Sequence, residues 1–543
     1  MMQKGKIFSM MQENPLRVVM LFVGIFLLSS VIAQEPSGSW RNLDCVRESE
    51  PWLSGNNASG LTWLSDSIQR IAIAEVYAVK SDGKFINYYQ SDNSFAFGAL
   101  TESFYRLNNK TVFYGKIDYL NFTGKNMGGS VLINPDYNAF NIVEVNNANK
   151  GQKVLERYHL LGATGVQLSP RFALGAKIDY LTSNYAKQKD LRHKNGLLDL
   201  MLTIGAEIQL SKTVDLGVNY IYCRNIEGIE FDRFGDMDRI YNTLIDFGVF
   251  YGRTELYGQT VYTKDRTPFI SQCHGAAIQV NLKITNSLRF FNDFSFLLRD
   301  GYFGFRTWNK VVFTEHDGMT MAYSGIVSYI VNQDQHFLKI NFRNEQLANY
   351  ENIFKQDGTP VQTYYYGNSQ VLDRNRITGG LEYVAQLKVQ DNCPEWILKA
   401  GGNYSGRQQT TSLYPFYREQ DIHWWDAYLY GSKNITSRKN QYGVSLRLLY
   451  GAGGGDMNKD GTYVKPSEDT RAPFSLDSSL KCEYEYLTAS RVTGNIGFTY
   501  SRMFSLNLRG YIRAEYELTN AFQIEYLDGN QFNSFRLSVG CNF

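Results

Sequence analysis

Apolar and polar residues alternate along many segments of this chain, most clearly in the last one. Phe535, Leu537, Val539, Cys541 and Phe543 alternate there with Arg536, Ser538, Gly540 and Asn542. Because successive side chains of a β-strand point to opposite faces, this period of two gives the segment one apolar and one polar face. Lipid on one side and a wet lumen on the other would solvate both faces. The pattern therefore predicts a transmembrane β-strand.

The same alternation recurs from about residue 70 to the end of the chain. It is clearest in residues 171–180, 214–222, 278–284, 480–486 and 506–516. A soluble sandwich could also bury one face and wet the other, but ordinary strands average about five or six residues and these segments are longer. We therefore predict an all-β fold, an outer-membrane antiparallel β-barrel over residues 70–543, with about 20 strands (roughly 16 to 22).

The connections between these segments differ in length. Tight turns are predicted at 107–110, 169–170, 211–212 and 285–286, and longer connections at 81–93, 123–153, 186–196 and 226–237. Long and short connections alternate, as expected for short periplasmic turns and long outer loops, which places 123–153 outside the cell. Counted back from the C-terminus, the connection 451–475 falls on the periplasmic side. We therefore expect one miscounted strand, between 345 and 375 or around 517–530.

The first 33 residues are predicted to be a cleaved signal peptide. Basic residues at positions 4, 6 and 17 precede an apolar run over 18–32, and small residues lead up to Gln34. This is the order of features in a secretory leader. No later stretch has the roughly 18 consecutive apolar residues of a membrane helix. The expected location is the outer membrane of a Gram-negative bacterium.

Residues 34–69 show little alternation and contain Trp40, Trp52 and Trp63. The lumen of a barrel of about 20 strands is wide enough to be an open channel unless something fills it. These residues could form a small hatch, with the three tryptophans packed on the inner wall. They could equally form a tail below the barrel.

Composition excludes some functions. Aromatic residues make up 15% of the chain, with 38 Tyr and 34 Phe, which suits interfacial girdles and a lipid-facing band. The net charge of +2 becomes zero once the leader is removed, so bulk charge does not favour nucleic-acid binding. The six cysteines show no CxxC spacing, and their pairing stays open.

Residues 138–269 resemble a Bacteroidetes family of outer-membrane β-barrels of unknown function. The resemblance rests on Glu156-Arg157-Tyr158 and the residues up to Gly162, on Gly175, Asp179 and Tyr180, and on the segment 186–195. In relatives a proline stands where this chain has Leu191. The resemblance implies location and architecture, and no substrate.

A second, fainter resemblance is to fatty-acid-transporter-type barrels. Their N-terminal hatch carries an Asn-Pro-Ala-Gly-like motif, and residues 56–61 of this chain, Asn-Asn-Ala-Ser-Gly-Leu, stand in a similar place without the proline. The resemblance implies a hatch at the start of the barrel.

Charged residues on the polar face of the alternating segments are candidates for the lumen lining. They are Lys116, Asp118, Lys177, Asp179, Glu207, Glu382, Arg447, Lys481, Glu483, Glu485, Arg509, Arg513 and Glu515. They could pair across strands as a solvated wall, or they could act as a selectivity lining. Their mixed signs predict weak ion selectivity if the pore is open.

One string is similar to a metal-binding loop. Asp456, Asn458 and Asp460 precede Gly461 with the spacing of calcium-loop ligands, although the closing acid is off register. We expect either a structural calcium ion or an acidic turn here, and no other cofactor.

These features together predict a channel or transporter for solutes across the outer membrane. The chain has no GxSxG, HExxH or P-loop string, so an enzyme is not expected. The alternative is a non-conducting barrel that binds a surface lipoprotein or a TonB-dependent transporter. Other expected partners are the lipid bilayer and the barrel assembly machinery, which would engage the strand ending in Phe543; nucleic acid is not among them.

Overall fold

The computed structural model describes residues 40–232, 241–258, 262–264, 266–359, 361–505 and 508–543. The predicted signal peptide lies outside these residues. Within them the chain forms 22 β-strands, of which 18 belong to one sheet and four to a second, smaller sheet.

The strands follow one another along the chain with these bounds. They are β1 (Arg70–Gly83), β2 (Asn93–Asn108), β3 (Thr111–Met127), β4 (Asn141–Glu144), β5 (Gly151–Ser169), β6 (Phe172–Lys187), β7 (Arg192–Gln209), β8 (Val214–Asp232), β9 (Asn242–Asp246), β10 (Tyr251–Leu256) and β11 (Thr267–Lys283). They continue as β12 (Leu288–Gly304), β13 (Val312–Val331), β14 (Asp334–Asp357), β15 (Gln362–Leu387), β16 (Trp396–Leu413), β17 (Phe416–Ser437), β18 (Asn440–Thr462), β19 (Phe474–Ser475), β20 (Arg491–Ser505), β21 (Leu508–Ala521) and β22 (Gln531–Asn542).

The large sheet closes on itself. All its neighbouring strands are antiparallel, and β22 pairs with β1 from Ile73↔Asn542 to Gly83↔Phe532. Closure removes both sheet edges, so every spanning strand has hydrogen-bonded neighbours on both sides. The predicted closed antiparallel barrel is confirmed, and its 18 strands fall within the predicted range.

The barrel wall has an apolar outside. Ile204 is 68% exposed and Leu429 is 64% exposed, and the exposed large hydrophobic residues of the neighbouring strands lie on the same outer face. Side chains one position away, such as Thr203, face the interior and are buried. Since water would not solvate so many exposed apolar groups, the outer face suits the hydrocarbon of a membrane. The described residues contain no helix that is long and apolar enough to cross a membrane.

The two ends of the barrel differ. One end carries short connections at 109–110, 170–171, 210–213, 284–287 and 332–333, close to the predicted tight turns. The other end carries the connections 84–92, 128–150 and 463–490. The predicted periplasmic placement of 451–475 is wrong, because 451–462 continue β18 and the connection that follows joins the long-connection end.

The expected position of the miscounted strand, between 345 and 375 or around 517–530, is wrong. The miscounted strand lies at 480–486, where the alternation of polar and apolar residues predicts a strand. The structure has a helix there, α2 (Asp477–Thr488), and removing this strand restores the parity of the ends. Helix α2 and the second sheet, ordered β19-β10-β9-β4, come from the long connections. We call the connections 128–150, 241–258 and 463–490 together the outer plug.

Residues 40–69 precede the first strand and form helix α1 (Leu43–Ser49) and two 3₁₀ helices, Pro51–Leu53 and Ala58–Trp63. The Asn42 side chain caps α1 by accepting hydrogen bonds from the backbone N–H groups of Asp44 and Cys45. We call residues 40–69 the inner plug, because their contacts place them inside the barrel at the short-turn end.

Candidate functional site: a lumen with a plug at each end

Ten of the thirteen charged residues that the alternation places on the lumen wall face inwards. They are Lys116, Asp118, Lys177, Asp179, Glu207, Glu382, Arg447, Arg509, Arg513 and Glu515. Each lies on the strand face opposite to the exposed apolar residues. The period of two therefore locates these side chains from sequence alone.

Opposite charges pair along this wall. Arg157 Nη2 lies 3.2 Å from Asp118 Oδ2, and His159 Nε2 lies 2.6 Å from Asp179 Oδ1 on the next strand. The Tyr428 hydroxyl donates a hydrogen bond of 2.6 Å to Glu382. The wall is therefore a mixed surface in which charges of both signs are matched by neighbours.

The other three predicted lumen residues, Lys481, Glu483 and Glu485, do not lie on the wall. They belong to α2 in the outer plug, where Glu483 forms a two-pronged ion pair with Arg407 of β16, with Nη2–Oε2 at 2.6 Å. Glu485 accepts hydrogen bonds from three consecutive backbone N–H groups, those of residues 525–527. These carboxylates tie the helix to the barrel and to the β21–β22 connection.

One side of the inner plug packs on the wall through apolar contacts. The buried members of this cluster are Leu43, Val46, Leu53, Ala58, Leu61, Leu64 and Ile68 of the plug with Ile71, Phe104 and Val112 of β1–β3. Full burial of a large apolar side chain contributes about 1.5–3 kcal/mol. This cluster therefore docks the plug on β1, β2 and β3.

A buried asparagine joins the plug to a second part of the wall. Asn57 Nδ2 donates to the carbonyl oxygens of Ala206 and Val218 and to Gln279 Oε1, at 3.0–3.3 Å. Its Oδ1 accepts hydrogen bonds from the backbone N–H and the hydroxyl of Ser59. This side chain bridges β7, β8 and β11 while it caps the second 3₁₀ helix.

The side of the plug opposite its apolar contacts is held by charge. Glu48 lies 2.7 Å from Lys399 Nζ and 3.1 Å from Lys339 Nζ, and its second oxygen accepts a hydrogen bond from Gln386. Burial alone would raise the pKa of Glu48, but the two lysines bring it below its ordinary value. We call Glu48 and its partners Lys339, Lys399 and Gln386 the ionic contact of the inner plug.

A second ion pair stands beside it. Glu50 Oε2 lies 2.9 Å from Arg289 Nη1 of β12. Burial raises the pKa of Glu50 by more than Arg289 lowers it, so the net shift is upwards. The two neighbouring glutamates therefore respond differently to acid.

The three tryptophans contact the wall in different ways. Trp52 is buried, stacks on Trp63 with ring centroids 6.0 Å apart, and meets Phe291 of β12 edge-on at 5.1 Å. Trp63 Nε1 donates a 2.7 Å hydrogen bond to Glu207. Trp40 lies under the Arg509 guanidinium, 5.6 Å from its ring centroid.

The outer plug has a core of its own that it shares with the wall. Phe140 lies at its centre, with ring centroids 4.5 Å from Phe269 and 5.1 Å from Phe303. Both of those phenylalanines face inwards from β11 and β12 and are buried. Inward apolar residues thus mark where the plug seats on the barrel.

Two buried acids belong to the outer plug. Glu144 of β4 is held by Lys153 and Lys187 of the wall, and burial still raises its pKa. Asp246 of β9 accepts hydrogen bonds from the backbone N–H groups of Gly248 and Tyr251, at 2.9 and 3.2 Å. Burial raises the pKa of Asp246 to about 7, and the neighbouring Glu483 adds to the effect.

Alternation of polar and apolar residues does not identify Glu48, Asn57 or Asp246. None of the three lies in an alternating segment, and their partners are up to 351 residues away along the chain. Asn57 lies in the hatch-like string 56–61, whereas for Glu48 and Asp246 the signal is the absence of alternation, which separates plug from wall without assigning roles.

The predicted calcium ligands Asp456, Asn458 and Asp460 lie on β18. A strand advances about 3.3 Å per residue, so the first and last ligands are too far apart for one ion. Asp460 is instead paired with Arg418 at 2.6 and 2.7 Å. The calcium prediction is therefore wrong, and no group of three or more His, Cys, Asp or Glu suited to a metal occurs among the described residues.

The chain matches one family, and several solved barrels have similar folds. Residues 61–543 match the family model DUF6850, described as a family of unknown function. A search of curated proteins gives no match. Among solved structures, the chain is similar to BauA, the ferric preacinetobactin receptor from Acinetobacter baumannii, with 10% identity, a TM-score of 0.36, and 87% of this chain and 80% of that chain covered.

Two further solved structures are similar at the same level. The TodX deltaS2S3 mutant, a monoaromatic hydrocarbon channel, shares 10% identity, with a TM-score of 0.30 and coverage of 94% of this chain and 95% of that chain. OccAB4 from Acinetobacter baumannii shares 9% identity, with a TM-score of 0.33 and coverage of 88% of this chain and 98% of that chain.

Proposed function

The chain belongs to the DUF6850 family of unknown function, and we propose that it carries a solute across the outer membrane through its lumen, with the inner plug as the gate. The observation that carries this proposal is the uneven attachment of the inner plug. Its buried apolar cluster lies against β1–β3, whereas the ion pairs of Glu48 and Glu50 join it to β12, β14 and β16.

This unevenness suits a hinged gate. The cost of desolvating the charges offsets much of the attraction in these largely buried ion pairs, so each contributes much less than the apolar cluster. The contacts of Glu48 and Glu50 can therefore break while the apolar side stays docked. Movement about that side would open the short-turn end without expelling the plug.

A disulfide between the inner plug and β7 tests the gate. A Cβ added at Gly205 would lie 2.8 Å from Asn57 Cγ, so cysteines at these two positions come within disulfide range after a small shift of Asn219. The Asn57→Cys/Gly205→Cys variant is compared in planar bilayers in potassium chloride, oxidised and reduced. Asn57→Cys alone is the matched control, because it loses the same Asn57 hydrogen bonds and cannot form this disulfide.

We expect brief openings in the reduced variant and in the control, and at least a tenfold loss of openings on oxidation of the double variant only. Openings that persist in the oxidised variant would show that the inner plug does not gate. The absence of openings from wild-type and reduced protein would overturn solute passage itself.

The alternative proposal is a closed barrel that binds a surface lipoprotein or a TonB-dependent transporter. Two features favour it: β14 and β15 have 24 and 26 residues, more than the roughly 9–11 that a membrane crossing needs, and Tyr364, Tyr365 and Tyr366 are exposed on β15. A barrel that shows no channel openings in planar bilayers and co-purifies from native membranes with such a partner would support this function.

A further inference from the structure

A row of apolar side chains crosses the inner wall near the long-connection end. Phe122 of β3 pairs with Leu155 of β5, and Leu155 pairs with Tyr185 of β6. All three face the lumen, because the exposed apolar residues of these strands occupy the alternate positions. Neighbouring strands thus place three apolar groups side by side on a face where polar groups are expected.

The inward rows on either side are different. Towards the long-connection end, the next inward residues after Leu155 and Tyr185 are Lys153 and Lys187, which form ion pairs with Glu144 of the outer plug. Towards the short-turn end, the next inward residue of β5 is Arg157, in its ion pair with Asp118. The apolar row is therefore a local interruption of a polar wall.

This row lines a cavity of about 330 Å³. The other sides come from the β1–β2 connection and the start of β2, from the outer plug with its helix α2, and from the start of β22. The lining residues are Phe85, Tyr89, Gln90, Ser91, Ser94, Phe122, Met127, Ile133, Leu155, Tyr185, Tyr486 and Phe532. Nine of the twelve are aromatic or aliphatic and none is charged, although charged residues lie directly above and below.

Polar groups that can orient a ligand stand on one side of the cavity. Gln90 Oε1 accepts the backbone N–H of Asn87, which leaves the amide nitrogen of Gln90 available as a donor. The Ser94 hydroxyl has no hydrogen-bond partner among the described residues. An apolar pocket with a few converging polar groups is the usual form of a small-molecule site.

We propose that this cavity binds a small, uncharged aromatic molecule, with its ring against Phe122, Leu155 and Tyr185 and its polar substituent towards Gln90 or Ser94. The volume admits a ligand at the small end of the usual range. The absence of charged lining residues disfavours an ionic ligand, whose desolvation would not be compensated. The inference rests on the proposed function, for which the cavity would be the first stop of the solute below the long connections.

Calorimetry with p-cresol tests the site in the purified full-length protein, with empty detergent micelles as the blank. We expect saturable binding to the wild type and at least a tenfold weaker affinity in Leu155→Gln. The matched control is Leu297→Gln, which changes an inward leucine of β12 outside the cavity and should bind as the wild type does.

A second variant guards against misfolding of the first. Ser94→Phe fills the cavity with an apolar group, so it should also weaken binding at least tenfold while the far-ultraviolet circular dichroism stays unchanged. Lack of saturable binding by the wild type, or equal losses in the cavity variants and the control, would overturn the site. Binding without channel openings would retain the site and refute passage, whereas openings without binding would do the reverse.

Discussion

At the scale of single residues, Asn57 has the widest reach. Its amide joins three wall strands, and its carbonyl oxygen caps the helix that follows. Loss of a buried hydrogen-bonding group leaves its partners unsatisfied, at a cost of about 1–3 kcal/mol. One substitution should therefore loosen the inner plug without changing the wall.

Asn57→Ala should accelerate the exposure of Cys45, a free thiol that is 3% exposed within the plug. From the energy above we expect labelling by a maleimide to become about fivefold to a hundredfold faster. The rate is measured by mass spectrometry of the Cys45 peptide, which separates it from the other cysteines. Asn56→Ala is the matched control: its exposed side chain accepts a single hydrogen bond, from Lys177, so the rate should rise much less than in Asn57→Ala. Equal rates in the two variants would contradict the role of Asn57.

At the scale of elements, helix α2 shows where periodicity stops being sufficient. Leu480, Cys482, Tyr484 and Tyr486 alternate with charged residues as they would in a spanning strand. The charged residues of a strand would line the lumen, whereas Glu483 and Glu485 bind groups in β16 and in residues 525–527. Contacts with distant residues thus outweigh the short alternating pattern that predicts a strand. The sequence near residue 480 does not indicate these contacts.

Strand β9 gives the outer plug a dependence on pH. The pKa of Asp246 is raised from 3.8 to about 7, chiefly by burial, with Glu483 raising it and Arg407 and two backbone N–H groups lowering it. The docked plug therefore binds a proton more tightly than the undocked one. The contribution of Asp246 to the stability of the docked plug is greatest below about pH 4, falls as the pH rises, and levels off above about pH 7.

Between pH 5 and pH 8 we expect the docked plug to lose on the order of 2–3 kcal/mol. Backbone hydrogen exchange of β9 and β10, corrected for the intrinsic rate at each pH, measures this loss. Asp246→Asn cannot ionise and should abolish the difference. Exchange that stays equally slow at both pH values in the wild type would contradict the assignment.

At the scale of the whole molecule, the barrel is predictable and its contents are not. Within each strand, the alternation of apolar and polar residues indicates which side chains face lipid and which face the lumen. The closed antiparallel wall, the tight turns and ten inward charged residues can therefore be predicted from the sequence. The expected barrel family of unknown function is confirmed to that extent, while its bacterial phylum stays a prediction. The plugs depend on contacts between distant segments, such as Glu48 with Lys399, which no periodicity encodes.

The two plugs lie one after the other in the same lumen, and this arrangement determines what removal of one of them is expected to do. The inner plug packs on β1–β3, and the outer plug packs on residues such as Phe269 and Phe303. The two apolar clusters have no residue in common. Loss of one plug should leave the other docked. A solute or ion could then pass only when the remaining plug moves.

A variant lacking residues 41–65 should therefore conduct intermittently rather than steadily. We expect its open time in planar bilayers to exceed that of the wild type at least tenfold, with closures that persist because the outer plug remains. Raising the pH from 5 to 8 should lengthen its openings further, since ionised Asp246 weakens the outer plug. The same deletion combined with Asp246→Asn is the control, whose openings should not change with pH. A steady, pH-independent current from the deletion variant would mean that the outer plug does not close the lumen, and that the two plugs do not act in series.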